Sequence, residues 1–199
     1  MLKLFAAKHT VSLASALILE ELGTEYELCL VDIAARAQRE KPYLDINPKG
    51  RVPTLVTPNG ILTETGAILE YIAPNLMPED AFTCAKIREF MQYLAATMHV
   101  NHAHKLRGKR WADLKESRAD MTAKIAQTMS ESCAYVETLI MGPYIFGSEI
   151  TIADAHLFTL SQWLEGDGVD INTYPKLAAF ERAFAARPSV ATVHAKGLL

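Results

Sequence analysis

The stretch over residues 47–56, Asn-Pro-Lys-Gly-Arg-Val-Pro-Thr-Leu-Val, constrains the fold of this chain more than any other. Its prolines and glycine predict a loop with a Val-Pro corner. Pro58-Asn59-Gly60 then predicts the turn of a hairpin between strands 54–57 and 61–63, and a helix begins near residue 65. This arrangement leaves backbone hydrogen-bonding groups free beside a helix N-terminus. It suits a ligand that is peptide-like and anionic.

The first 75 residues alternate between strand and helix patterns. An apolar run at 2–6 predicts a buried strand, and a helix follows from Ser12. Alternation over 26–31 predicts a second strand, and the charged, Ala-rich segment 32–46 predicts at most a loose helix. With the hairpin and a last helix that ends before Pro74, the predicted order is β-α-β-α-β-β-α.

The character of the chain changes near residue 76, after which every segment has helical spacing. We predict one long helix over 84–107 and another over 121–140, in which apolar residues recur every three or four positions. The sequence therefore predicts an α/β domain followed by an all-α domain. Their predicted bounds are 1–76 and 84–199, with a linker at 77–83.

The most diagnostic helix start in the second domain lies at Thr151. Its side chain can accept a hydrogen bond from the Asp154 N–H while the Asp154 carboxylate accepts from the Thr151 N–H, which is a carboxylate version of the capping box. Ile150 lies just outside the box as an apolar neighbour. The box predicts a buried helix from Ile152 to Trp163, and each cap contributes about 1 kcal/mol to its stability.

Composition excludes several classes of protein. No run approaches the roughly 20 apolar residues that a membrane span needs, and the apolar opening, interrupted by Lys8 and His9, lacks the pattern of a secretory signal. The formal net charge of −3 argues against nucleic acid as a partner. Three widely spaced cysteines give little support to a disulfide framework or a zinc site. We therefore expect a protein of the reducing cytoplasm.

Three motifs, in order, carry a family resemblance. They are Asn-Pro-Lys-Gly-x-Val-Pro at 47–53, Glu-Thr-Gly-Ala-Ile-Leu-Glu-Tyr-Ile at 64–72 and Gly-x-x-Ile-Thr-Ile-Ala-Asp-Ala at 147–155. Together they resemble the cytosolic glutathione transferases, and the Ser-Leu-Ala-Ser helix start at 12–15 is most similar to the bacterial beta-type enzymes. The resemblance runs over residues 2–197. It implies a thioredoxin-like domain before the helical one, a homodimer, and glutathione as a substrate without a metal.

The resemblance assigns glutathione to the Val-Pro corner and to the helix start after it. A cis bond before Pro53, expected from the family, turns Val52 so that its N–H and C=O can pair with the cysteinyl backbone of glutathione. The N–H groups and the hydroxyl at Thr65 suit the γ-glutamyl carboxylate, and Glu64 suits the α-ammonium group. For Glu64 and Thr65 the alternative is an ordinary helix cap.

Two basic residues, Lys49 and Arg36, fall where the family uses basic groups near the glycine carboxylate of glutathione. For each of them the alternative is a solvated surface charge. The candidate glutathione-binding residues are therefore Val52, Pro53, Glu64, Thr65, Lys49 and Arg36.

The catalytic position departs from the relatives. Beta-type enzymes place Tyr shortly after the first strand and Cys just before the first helix, and the matching residues here are Ala6 and Val11. Neither side chain donates a hydrogen bond or forms a mixed disulfide, so thiol exchange at that position is excluded. The glutathione sulfur must still be held as a thiolate, its nucleophilic form. Ser12 is the first candidate for this role, with a plain N-cap as its alternative; Thr10 is the second and His9 the third.

His99, His102 and His104 suggest a metal site, but helix geometry argues against it. His99 and His102 lie about 60° apart around a helix, and His104 lies about 140° from His99, so three ligands do not converge from one straight helix. The family uses this helix to line the acceptor-substrate pocket, and His99 matches a histidine near the active site of beta-type enzymes. The basic run 105–110 is interpreted as a solvated helix end.

Two functions fit these features. The first is an enzyme that adds the thiolate of glutathione to a small, hydrophobic electrophile or uses it in thiol-dependent reduction. The second is a non-catalytic binding or regulatory protein that keeps the glutathione fold. Binding and ionisation of glutathione on the protein separate the two. A metal-binding helical protein is a third, more distant possibility.

Overall fold

The computed structural model describes residues 1–199, which form two compact units. Unit 1 contains Met1–Glu79 together with Ala185–Leu199, and unit 2 contains Asp80–Phe184. None of the helices combines the length and the apolar character that a membrane span requires.

Unit 1 has the predicted order of strands and helices. Its elements up to residue 79 are β1 (Leu2–Ala6), α1 (Ser12–Glu21), β2 (Tyr26–Leu30), α2 (Lys41–Leu44), β3 (Thr54–Thr57), β4 (Gly60–Thr63) and α3 (Thr65–Ile72). The strands form one sheet in the order β2-β1-β3-β4. Strand β1 runs parallel to β2 and antiparallel to β3, and β3 pairs antiparallel with β4 through the predicted hairpin. The thioredoxin-like fold is thereby confirmed.

The sheet of unit 1 is held by apolar side chains that alternate along its central strands. Leu4 of β1 pairs with Leu28 on one side and with Leu55 of β3 on the other. Leu4 and Leu55 are fully buried, as is Leu17 of α1. Strand alternation and an apolar helix therefore supply the core, as their sequence patterns predict.

The regular elements of unit 2 are all helices. Its helices are α4 (Ala81–Tyr93), α5 (His99–Arg107), α6 (Lys115–Ala123), α7 (Ile125–Leu139), α8 (Ile152–Ser161) and α9 (Pro175–Ala185). The helix predicted over 84–107 begins earlier, because the carboxylate of Asp80 accepts a hydrogen bond from the Thr83 N–H at 2.7 Å and caps α4. A π-helical turn at Leu94–Met98 joins α4 to α5. The helix predicted over 121–140 is divided by a turn at Lys124.

The last helix, α10 (Pro188–Ala195), belongs to unit 1, whereas the predicted boundary gives residues 84–199 to the helical domain. The reason is an interaction between residues far apart in sequence. Arg187 donates to both oxygens of the Glu21 carboxylate, at 2.8 and 2.5 Å, and Ser189 donates to the same carboxylate. These bonds attach α10 to the C-terminal end of α1.

The capping box at the start of α8 is present, as predicted. Asp154 is fully buried, and its Oδ2 accepts from the N–H of Thr151 at 2.7 Å and from its hydroxyl at 2.9 Å. Its Oδ1 accepts from the Ile145 N–H at 2.8 Å, a contact that the sequence did not predict. One carboxylate therefore caps α8 and also fixes the segment that precedes it.

We expect Asp154→Ala to lower the free energy of unfolding by about 2–4 kcal/mol, because two buried N–H groups lose their acceptor. Urea denaturation followed by circular dichroism measures this. Asp80→Ala is the matched control, since Asp80 caps α4 at an exposed site, and its expected cost is about 1 kcal/mol. Equal costs for the two variants would contradict the structural role given to Asp154.

His156, on α8, is fully buried, and neither of its ring nitrogens has a hydrogen-bond partner. Burial, with a smaller contribution from the charge of His99, lowers the pKa of His156 to about 3. The unfolded chain therefore binds a proton near pH 6.5 that the folded chain does not bind. We expect His156 to reduce stability by up to about 1.4 kcal/mol per pH unit as pH falls from about 6.5.

Urea titrations at pH 7, 6 and 5 on the wild type and on His156→Phe test this prediction. The quantity to compare is the difference in free energy of unfolding between the wild type and His156→Phe at each pH. Burial also raises the pKa of Asp154, to about 6, and the effect of Asp154 is common to both proteins. His156→Phe should lose less stability than the wild type on acidification. Parallel losses would show that another group governs the acid response.

Candidate functional site

A buried hydrogen-bond network fixes the corner at residues 51–54. The Arg51 carbonyl accepts from the Tyr43 hydroxyl at 2.6 Å and from Asn47 Nδ2 at 2.9 Å. Both donors also contact the Thr54 hydroxyl, each at 2.9 Å. Tyr43, Asn47 and Thr54 are all buried. The backbone on either side of the corner is therefore held from inside unit 1.

The Val52–Pro53 peptide bond is cis, in agreement with the expectation from the family. Pairing of β1 with β3 extends to Thr54, so the N–H and C=O of Val52 take no part in the sheet ladder. The preceding Gly50 has φ +58°, and a Cβ there would lie 2.8 Å from the Gln38 carbonyl oxygen. Glycine is therefore required for the loop that leads into the corner.

Glu64 and Thr65 lie at the start of α3, as predicted. Glu64 is the N-cap residue, with φ 71° and ψ 121°, a backbone conformation that is uncommon for a residue with a side chain. Lys49 Nζ lies 2.6 Å from Glu64 Oε1 and donates to the Thr63 hydroxyl at 2.8 Å. The side chains of Lys49 and Glu64 are 48% and 67% exposed. A cation, an anion and a helix N-terminus thus meet at one surface of unit 1.

Arg36 lies on the loop between β2 and α2. It is exposed and has a left-handed backbone conformation, with φ 62°. Its N–H donates to the Ile33 carbonyl at 3.1 Å, and its carbonyl accepts from the Arg39 N–H at 2.8 Å. Contact of its guanidinium group with a glycine carboxylate stays a prediction.

Two hydroxyls organise the loop between β1 and α1. Ser12 is fully buried, and its Oγ accepts from the Ala7 N–H at 3.0 Å. The Thr10 hydroxyl donates to the Ala7 carbonyl at 2.8 Å, and the two hydroxyl oxygens are 2.6 Å apart. The single proton of Ser12 is directed to the Ala7 carbonyl or to Thr10. Thr10 is the more exposed of the two candidates.

The two positions at which the family resemblance leads us to expect Tyr and Cys, Ala6 and Val11, carry no polar side chain. Ala6 is the last residue of β1 and Val11 is the N-cap residue of α1, and both are buried. His9 is exposed and has φ 55°, and its N–H donates to the Leu198 carbonyl at 3.4 Å. The hydroxyls of Thr10 and Ser12 contact each other at the start of α1.

The three histidines of α5 contact two tryptophans of unit 2. His102 stacks on Trp163 with ring centroids 4.2 Å apart, and His99 meets the same indole edge-on at 5.1 Å. His104 instead meets Trp111 edge-on at 4.7 Å. No group of three or more His, Cys, Asp or Glu side chains is arranged to hold a metal ion.

Several supporting residues escaped prediction from the sequence. Tyr43 and Thr54 hold the Arg51 carbonyl, yet a tyrosine in a weakly helical segment gives no local signal of that role. Lys105 was interpreted as part of a solvated helix end, but its ammonium group donates to the Gly166 carbonyl and lies 3.5 Å from Asp167. These partners lie 61 and 62 positions away along the chain.

Two family models match this chain. The glutathione S-transferase N-terminal domain matches residues 1–74, and the glutathione S-transferase C-terminal domain matches residues 101–196. The sequence is also similar to glutathione S-transferase GstA of Escherichia coli O157:H7, with 32% identity over 95% of each chain.

Solved structures agree with this match. A glutathione transferase homolog from Sulfitobacter, solved with bound glutathione, is 46% identical, with a TM-score of 0.97 over 100% of this chain and 99% of the other. The beta class glutathione S-transferase of Sphingomonas chungbukensis is 29% identical, with a TM-score of 0.83 over 99% of this chain and all of the other. The order of the three sequence motifs, the fold of both units and these similarities agree: the chain belongs to the glutathione S-transferase family.

Proposed function

We propose that this chain is an enzyme that holds glutathione at the corner of unit 1 and adds its thiolate to a small, hydrophobic electrophile. Use of the same thiolate in a reduction belongs to the same proposal. The observation that carries it is the unpaired backbone of Val52 beside the N-terminus of α3. The alternative of a non-catalytic binding or regulatory protein is not favoured, because both domains of a transferase family match.

In this proposal each end of glutathione meets a group of suitable charge. The N–H and C=O of Val52 pair with the cysteinyl backbone, and Pro53 holds the chain at the corner. The γ-glutamyl carboxylate accepts hydrogen bonds from the first turn of α3 and from Thr65. The α-ammonium group replaces Lys49 beside Glu64, and Lys49 together with Arg36 then attracts the glycine carboxylate.

Activation of the thiol is assigned to the loop before α1. What supports Thr10 over Ser12 is its greater exposure, whereas the Ser12 hydroxyl is buried against Ala7. In this structure the Thr10 hydroxyl donates to the Ala7 carbonyl, so its single proton must turn from that carbonyl to the thiolate. The Ser12 hydroxyl, whose oxygen lies 3.2 Å from the same carbonyl, then replaces it as the donor. A hydrogen bond to a charged group contributes about 1.5–3 kcal/mol. Such a bond lowers a thiol pKa by about one to two units. Ser12 then acts by fixing the loop that presents Thr10.

His99 is the residue that we assign to the acceptor substrate. It lies on α5 directly after the π-helical turn, and its ring is half-buried. Turns of this kind often occur at functional sites.

We further propose a homodimer in the cytoplasm. Exposed apolar side chains at Ile61 and Tyr71 of unit 1 support association, and three free cysteines support a reducing compartment.

Thr10→Val and Ser12→Ala separate the two hydroxyls. Thr10→Val should raise the pKa of the bound glutathione thiol by about one to two units, because it removes the hydrogen bond to the thiolate. Ser12→Ala should mainly lower the free energy of unfolding, by about 1–3 kcal/mol, since the buried Ala7 N–H loses its acceptor. Thiolate absorbance against pH and urea denaturation measure the two effects. A rise in the thiol pKa in Ser12→Ala but not in Thr10→Val would assign activation of the thiol to Ser12. Absence of binding at millimolar glutathione would contradict the proposal that the chain is a glutathione-dependent enzyme.

Glu64→Gln should weaken glutathione binding about tenfold, or about 1.4 kcal/mol, because the α-ammonium group loses a charged partner. Isothermal titration calorimetry measures the dissociation constant. Asp45→Asn is the matched control, since Asp45 also forms an exposed ion pair with a lysine, Lys41, but is not a candidate site residue. A dissociation constant within twofold of the wild type for Glu64→Gln would remove Glu64 from the site.

A further inference from the structure

A chain of side-chain contacts in unit 2 leads from a buried carboxylate to His99. Asp167 lies in the turn after α8, and its side chain is 0% exposed. Its Oδ2 lies 2.7 Å from Nδ1 of His102. The His102 ring stacks on Trp163 at 4.2 Å with an interplanar angle of 22°, and Trp163 receives the edge of His99 at 5.1 Å and 63°.

The first contact fixes the ring of His102. A buried carboxylate is costly unless it is paired and hydrogen-bonded, and α5 supplies two side chains, those of His102 and Lys105, that contact Asp167. Lys105 lies at 3.5 Å, which is too long for a strong hydrogen bond, whereas His102 lies at 2.7 Å. Because Nδ1 lies in the plane of the imidazole, a short bond to it sets the direction of that plane.

The contacts of Trp163 with His102 and with His99 restrict the orientation of the His99 ring. His99 and His102 are one helical turn apart on α5, so both reach the same neighbouring side chain. That side chain, Trp163, is 9% exposed and meets one ring face to face and the other edge-on. His99 itself follows the π-helical turn, where the regular helical hydrogen bonds change. Its ring is therefore positioned by lateral contact as well as by the helix.

We propose that Asp167 and His102 are positioning residues for the transferase reaction, and that they hold the ring of His99 toward the acceptor through Trp163. The inference rests on the proposed function, in which His99 contacts the acceptor. Asp167 and His102 touch neither substrate. Neither is a candidate glutathione-binding residue, so we expect their effect on the step in which the electrophile is bound and oriented.

Two variants of His102 separate the hydrogen bond from the stacked ring. His102→Asn retains a donor near the position of Nδ1 but has no aromatic ring. His102→Phe retains a ring against Trp163 but cannot donate to Asp167. Asp167→Asn removes the buried charge from which this series of side-chain contacts begins. His104→Ala is the matched control, because it breaks the other histidine–tryptophan contact of α5, with Trp111.

The kinetic test uses the full chain with glutathione and a chromogenic aromatic electrophile. His102→Asn and Asp167→Asn should raise KM for the electrophile about three- to tenfold, while KM for glutathione stays within about twofold of the wild type. His104→Ala should leave both values unchanged. Unaltered KM for the electrophile in His102→Asn and Asp167→Asn, or an equal rise in His104→Ala, would overturn the proposal.

Ring resonances of His99 in NMR spectra of the same proteins give a second readout, which does not depend on turnover. We expect them to shift in His102→Asn and Asp167→Asn, to shift less in His102→Phe, and to stay in place in His104→Ala. A larger shift in His102→Phe than in His102→Asn would overturn the route through the stacked ring. A wild type that binds glutathione but shows no turnover would refute the proposed function. Unmoved His99 resonances in the variants would refute only the proposal that Asp167 and His102 position His99.

Discussion

The carbonyl oxygen of Arg51 is the acceptor on which the geometry of the corner at residues 51–54, the proposed glutathione site, depends. Tyr43 and Asn47 donate to it from the α2 side, and both also contact Thr54 at the start of β3. A shift of the corner would leave several buried polar groups unpaired, at about 1–3 kcal/mol each. Val52 is therefore presented on a preformed edge, and a ligand that pairs with it has little ordering cost to overcome.

The charged groups around that edge are held far less firmly. Lys49 and Glu64 form an ion pair between two largely exposed side chains, and such pairs contribute about 0–1 kcal/mol. Ligand groups can thus replace one partner without a large loss. The site combines a backbone edge that is rigid with charges that rearrange easily, which suits a ligand that carries an ammonium group and carboxylates.

Local patterns predicted most of the fold, because turn residues, caps and periodicity act within a few positions. The hairpin after Pro53, the order of elements in unit 1 and the capping box at Thr151 all depend on such short-range chemistry. The exceptions depend on partners distant in sequence. Arg187 binds Glu21 across 166 positions and so brings α10 into unit 1, and His102 meets Asp167 across 65. Neither pairing leaves a periodic signal in the sequence.

The loop before α1 shows why the candidate site was harder to predict than the fold. A hydroxyl before a helix has the right chemistry for a thiolate, but it has one proton, and the protons of Thr10 and Ser12 are both directed within the loop. A sequence motif does not distinguish a proton used for folding from one offered to a ligand. The Ser12 hydroxyl closes the loop through the N–H and the carbonyl of Ala7. The place of Ser12 in the loop therefore explains a serine at this helix start whether or not it also contacts the thiol.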